Sequence, residues 1–146
     1  MKKITFLLIL LASAQAGAAV NQWTTTRVQG VTEYLIQNKQ GAELLMTCSP
    51  DDNVFVRYTS PDGKTLTSGN DDGRSVQAQT DSGDTFLIND TFSDAGGSNF
   101  EAFWDAARKS HRIHITATGL TSATFTFSNS AKILPEFDKS GCLTRM

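Results

Sequence analysis

The sequence predicts a mainly β protein with one amphipathic helix: a single-domain antiparallel β-sandwich or flattened barrel tied by one disulfide. Three observations carry that expectation. Beyond residue 19 the chain is cut into short runs of β-branched and aromatic residues separated by Gly, Pro, Asp and Asn clusters, the pattern of strands and tight turns. One stretch, residues 98–110, repeats its apolar residues at helical spacing. The two cysteines, Cys48 and Cys142, form an even set in a chain that starts with an export leader.

The leader is read over residues 1–19. Lys2 and Lys3 precede an apolar run over 4–12, and small residues follow at Ala16, Gly17, Ala18 and Ala19, the order of a secretory signal peptide with its cleavage site. An apolar run of about nine residues is too short to span a bilayer, which needs roughly twenty. The expected address is therefore the periplasm or the exterior, without a stable membrane anchor. Residues 20–146 then form one domain, large enough for a sizeable core.

The whole chain has 13 basic and 15 acidic residues. Both leader lysines are lost on cleavage, leaving eleven bases against fifteen acids, a mildly acidic surface that argues against nucleic acid, which is bound through clustered positive charge. In an oxidising compartment Cys48 and Cys142 are expected to pair. Two cysteines without convergent histidines do not make a four-ligand zinc site.

Each element has its own local reason. Residues 23–28 and 32–37 are rich in threonine and β-branched residues and are split by Gly30, which reads as a hairpin. Residues 43–48 and 54–59 flank a Ser-Pro-Asp-Asp-Asn turn and should pair, and Ser60-Pro61-Asp62-Gly63 turns the chain into a short strand at 64–67. Residues 74–80 alternate but are thinly apolar, which suggests an edge strand. They form a hairpin with 85–91 across Asp81-Ser82-Gly83-Asp84. In the helix, Phe100, Phe103, Trp104 and Ala107 share one face that should bury against the sheet. Ser98 and Glu101 have capping-box spacing, and Arg108 and Lys109 suit the negative end of the helix dipole. Residues 112–118 and 123–128 read as a closing hairpin, 130–137 as a helical turn ended at Pro135, and 138–146 as a tail held by Cys142.

Chemistry is less plainly written. His111 and His114 are three apart, and on a strand that offset sends them to opposite faces, so no shared metal ion is expected there. Asn70-Asp71-Asp72-Gly73 has Gln79 where a calcium loop would end in glutamate. No Gly-x-Ser-x-Gly elbow is present. Two histidines and fifteen carboxylates leave open a hydrolase site assembled in space, but the expectation is a non-catalytic protein without cofactor. Arg108, Lys109, His111 and Arg112 form a dense basic cluster, which reads either as a partner-docking patch or as an ordinary helix C-terminus. Trp23, Tyr58 and Phe92 read either as interface aromatics or as core.

The early strand Leu44-Leu45-Met46-Thr47-Cys48, the strand Val54-Phe55-Val56, a central Phe-Trp segment and the late Thr124-Phe125-Thr126-Phe127 are followed by Ser130-Ala131, Leu134 and Cys142. This layout resembles small exported proteins associated with type VI secretion systems and, more loosely, the invasion-associated locus B family. The resemblance implies a non-catalytic periplasmic β-sandwich beside an envelope machine. The leading expectation is an accessory or binding protein whose partner is another envelope protein. The alternative is an inhibitor or immunity protein that inserts a loop, 68–73 or 94–98, into an enzyme's cleft.

Overall fold

The computed structural model describes residues 19–51, 54–142 and 144. The predicted leader, Ala19 excepted, lies outside the described residues, as do Asp52 and Asn53 of the predicted Asx-rich turn. Two antiparallel sheets carry the fold. The first is a meander of five strands in chain order: β1 (Thr24–Val28), β2 (Val31–Gln37), β3 (Glu43–Cys48), β4 (Val56–Thr59) and β5 (Thr65–Thr67). The second contains β6 (Val76–Thr80), β7 (Thr85–Ile88), β8 (Arg112–Ala117) and β9 (Ala123–Thr126), in the order β7-β6-β8-β9. Helix α1 (Asp94–Lys109) connects β7 to β8, and a short helix α2 (Ser130–Ile133) and a 3-10 turn (Phe137–Lys139) follow β9. Between β1 and β2, Gln29 and Gly30 both take positive φ, 50° and 85°, which is the two-residue hairpin turn that matches strand twist.

Alternation along the strands sends one face of each sheet into a single core. Ile36, Leu44, Met46, Val56 and Tyr58 come from the first sheet, and Val76, Ala78, Ile113, Ile115 and Phe125 from the second. Tyr58 meets Phe125 edge-on across the sheets, with centroids 6.5 Å apart, and its hydroxyl donates to the Thr121 carbonyl at 2.6 Å. Burial, with Asp62 adding to it, pushes that phenol up to about 12. The predicted aromatic stripe is buried as expected: Phe100, Phe103, Trp104 and Ala107 are all fully enclosed. Trp104 packs edge-on against Tyr34 of β2 at 5.0 Å, and Phe103 lies against Phe86 of β7 at 5.9 Å. The helix therefore fills the gap between the two sheets. Trp23 and Tyr58 belong to the core, whereas Phe92 is 49% exposed.

Two expectations are corrected. Helix α1 begins at Asp94, four residues before the predicted start. Its N-cap is Ser93, whose hydroxyl accepts from the Gly96 N–H at 3.0 Å, while the Asp90 carboxylate accepts from the N–H groups of Phe92 and Ser93 at 3.0 and 2.7 Å. Ser98 is thus an interior helical residue, and Glu101 accepts from the Thr144 hydroxyl at 2.8 Å. Glycines at 96 and 97 look like a loop in sequence, but close packing requires one of them: a Cβ at Gly96 would stand 2.2 Å from Asp90 Oδ1 and 2.6 Å from the Asp90 carbonyl. The predicted insertion loop at 94–98 is consequently the first turn of a packed helix.

The second correction is β6, which lies inside its sheet between β7 and β8. Val76, Ala78 and Thr80 are buried, whereas Gln77 and Gln79 face outward. An antiparallel strand needs only one apolar face to sit in a sheet interior, so its thin hydrophobicity records an open sheet face. Several predicted strands are also shortened at their ends. Thus 54–59 begins at Val56, 64–67 at Thr65 and 74–80 at Val76, while 85–91 ends at Ile88 and 123–128 at Thr126.

Cys48, the last residue of β3, is bonded to Cys142, with Cα atoms 4.6 Å apart across 94 residues of chain. In the chain-entropy description, reducing this bond is expected to lower unfolding free energy by about 4–5 kcal/mol; urea melts with and without reductant measure it, and coincident curves would refute the expectation. Gly96→Ala is expected to destabilise by about 2–4 kcal/mol through overpacking on Asp90. A variant melting within error of the parent would show that the contact relaxes freely.

Candidate functional site

The predicted basic cluster sits where α1 turns into β8. Arg108 is half-buried, and its Nε donates to the Leu134 carbonyl at 2.9 Å, closing the end of α2. The Ser130 hydroxyl reaches back to the carbonyls of Arg108 and Ser110 at 3.0 and 3.1 Å. The His111 main-chain N–H donates to Asp81 Oδ2 at 2.8 Å, and its ring Nδ1 lies 3.8 Å from the same oxygen. The main-chain hydrogen bond from His111 is the largest influence holding the Asp81 carboxyl below its ordinary range; the Ser110 hydroxyl and the imidazole act in the same direction.

Lys109 lines a cavity of about 510 Å³ with Asp81, Asp84 and Asp105. It also lines a second, of about 520 Å³, with Glu101, Asp105, Glu136 and Asp138. Arg112 is exposed on β8, in register with Thr126 of β9. The four residues are thus divided among tasks: Arg108 is structural, His111 is paired with Asp81, and Lys109 is set among carboxylates.

His114 is on the outer side of the second sheet, its Nδ1 2.8 Å from the Thr124 hydroxyl. It borders an open polar groove of about 610 Å³ shared with Asn38, Lys39, Ser122, Thr124 and Thr126. Among the described residues no three His, Cys, Asp or Glu side chains converge as metal ligands, and no helix is long and apolar enough to cross a membrane. The 68–73 loop is tied to the fold at its first two residues. Ser68 is buried and its hydroxyl accepts from the Val56 N–H at 3.0 Å, while Asp72 pairs with Arg74 at 2.6 Å.

Sheet edges distinguish this surface more than its cavities do. Two open sheets present four edge strands, β1, β5, β7 and β9. Asparagine side chains take up main-chain carbonyls on three of them. Asn70 Nδ2 donates to Thr67 on β5 at 2.8 Å, Asn99 Nδ2 to Leu87 on β7 at 3.1 Å, and Asn38 Nδ2 to Thr124 on β9 at 3.1 Å. Strand β1 differs. Among the described residues no side chain closes its outer edge, and residues 25–28 are exposed on both faces, Val28 at 53%. Its five residues contain no proline and pair with β2 without a bulge, so of the usual devices that blunt an edge it has only the charge of Arg27. These asparagine contacts join residues far apart or in loops, and sequence reading did not single them out.

The depressed Asp81 carboxyl makes a pH prediction. A carboxylate whose folded pKa is lowered contributes stability that is complete above its unfolded value, near 3.9, and is lost as pH falls through the folded value. Asp81→Asn is therefore expected to flatten the acid limb of the stability-pH curve. An NMR titration midpoint for Asp81 at or above about 3.9 would overturn the assignment.

No curated protein and no solved structure matches the chain. The YfjT family model matches residues 21–134, a span that holds all nine strands and both helices and stops before Cys142. With most of its length and its entire two-sheet core inside that match, this chain belongs to the YfjT family.

Proposed function

We propose that this protein is an exported, non-catalytic accessory protein of the bacterial periplasm that works through protein contacts, beside an envelope secretion or transfer system. The observation that carries this reading is the open β1 edge. Every second residue of an edge strand turns its N–H and C=O away from the sheet, and an extended segment of another chain satisfies those groups by adding a strand. Here that edge is β-branched, exposed on both faces and, among the described residues, uncapped, while the other three edges each have an asparagine cap. The disulfide supports the exported setting, because such a bond persists outside the reducing cytoplasm. It also holds the C-terminal segment against β3, which a small protein without chaperone-rich surroundings benefits from.

A photo-crosslinking residue placed at Thr25 in cells tests the reading. Adducts with another chain are expected from position 25 and not from exposed Lys132 on α2. Equal yields from both positions, or no adduct from either, would overturn it. Osmotic-shock release of a species whose mass begins at Val20 is expected for the exported setting, and retention of residues 1–19 on the native protein would contradict it.

A further inference from the structure

We propose that the strand that fills the open edge is β1 of a second copy, joined about a two-fold axis at Thr26. This rests on the docking role given to β1 above and adds the identity of the partner.

The hydrogen-bonding phase of β1 follows from its neighbours. The Thr47 N–H bonds to the Phe55 carbonyl, so Thr47 points toward β4. Main-chain direction alternates along a strand, so Met46 points toward β2 and is hydrogen-bonded to its register partner Tyr34. Leu35 and Glu33 then point toward β1, where their partners are Thr24 and Thr26; the Thr24 hydroxyl bond to the Leu35 carbonyl at 3.3 Å agrees. Thr25 and Arg27 are left with N–H and C=O directed away from the sheet.

An antiparallel strand satisfies both residues only if its own outward residues fall opposite them. A second β1 centred on Thr26 does this. Thr25 stands opposite Arg27 of the second copy and Arg27 opposite its Thr25, giving two hydrogen-bonded pairs, while Thr26 faces Thr26 in the close, non-hydrogen-bonded pair at the axis. A shift by one residue in either direction places outward groups opposite inward ones and forfeits these bonds. The arrangement is isologous and closes at two copies.

Charge agrees with the register. No like charges face each other directly: each Arg27 has a threonine opposite, and the two arginines are diagonal, with long side chains able to splay apart. The two Glu33 residues lie outside the paired β1 strands, three strand spacings or about 14 Å apart, beyond a Debye length of about 8 Å at physiological salt. Val28 packs beside Thr24 of the second copy on the face shared with Thr26, covering the most exposed apolar residue of the hairpin.

Thr26→Cys reads the register directly, since the two native cysteines are already bonded to each other. Non-hydrogen-bonded antiparallel partners have Cα atoms about 4.5 Å apart, within disulfide range. Under mild oxidation Thr26→Cys is expected to form a covalent dimer at least about tenfold faster than Thr65→Cys on the β5 edge, with Thr25→Cys close to that control. Unmodified protein should double its mass in sedimentation between about 10 μM and about 1 mM, the range for an interface under roughly 1,200 Å². Arg27→Pro, which removes an outward N–H and no bond to β2, should stay monomeric with an unchanged circular dichroism spectrum.

Crosslinking of Thr26→Cys no faster than the β5 control, or a wild-type mass that stays monomeric, would overturn the proposal. Equal crosslinking at 25 and 26 would overturn the register. Monomeric protein whose Thr25 still crosslinks to a different envelope chain would sink the second copy while leaving the docking role standing.

Discussion

The structure depends on how α1 closes the space that the two facing sheets leave between β2 and β7. Strands β2 and β7 belong to different sheets, and α1 reaches both through Trp104 against Tyr34 and Phe103 against Phe86. The C-terminal segment then has a surface to lie on: Phe137 packs edge-on against Phe100 and Trp104 at 6.0 and 5.8 Å, and the Trp104 indole N–H donates to the Pro135 carbonyl at 2.8 Å. That course carries the chain back to Cys48, where the disulfide fixes it. Core, tail and cross-link are thus successive consequences of one aromatic stripe. Aromatic pairs of this edge-on kind add roughly 0.5–1.5 kcal/mol beyond the area they bury.

Polar ties then set the register between parts that the core brings near. Asn129 holds the main chain of Trp23 at both its N–H and its C=O, each at 3.0 Å, joining residues 106 apart in sequence. Asn38 does similar work at the other end, accepting from the N–H groups of Gln40 and Ala42 and donating to Thr124. An asparagine amide offers the same donor and acceptor as a peptide group, so it can replace a missing strand neighbour. Buried main-chain groups must find such partners, and here several of them are side chains from another element.

Local features of the fold were legible in the sequence because they arise within a few residues. The hairpin at Gly30, the turn at Gly63, the helical stripe from Phe100 to Ala107 and the pairing of an even set of cysteines all follow from spacing, turn chemistry or count. What misled was local evidence for a property that depends on neighbours. β6 looked like an edge because it is half polar, but its polar half faces solvent from the middle of a sheet. Gly96 and Gly97 looked like loop residues because glycine weakens helices, but α1 has to approach the Asp90 carbonyl more closely than a Cβ permits. The basic cluster was visible as a run of letters, and the carboxylates that line the cavities beside Lys109 come from the turn between β6 and β7, from α1 and from the C-terminal turn.

The candidate docking edge was hidden for the same reason. Nothing in Thr-Thr-Thr-Arg-Val distinguishes a strand that will have two neighbours from one that will have one; its condition is decided by where β2 and β3 lie and by whether an asparagine happens to reach it. Once the fold is known, the contrast among the four edges becomes the most specific statement the surface makes. A three-residue strand such as β5 offers little template even without Asn70, and β7 is shielded by α1 as well as by Asn99. β1 has five residues, projects beyond the core with its hairpin partner, and keeps its outward groups free among the described residues. An uncapped edge of this kind carries an aggregation hazard that selection ordinarily removes. Its contrast with three capped edges in one small protein is the reason the proposed docking role falls on this strand rather than on the cavities or the basic cluster.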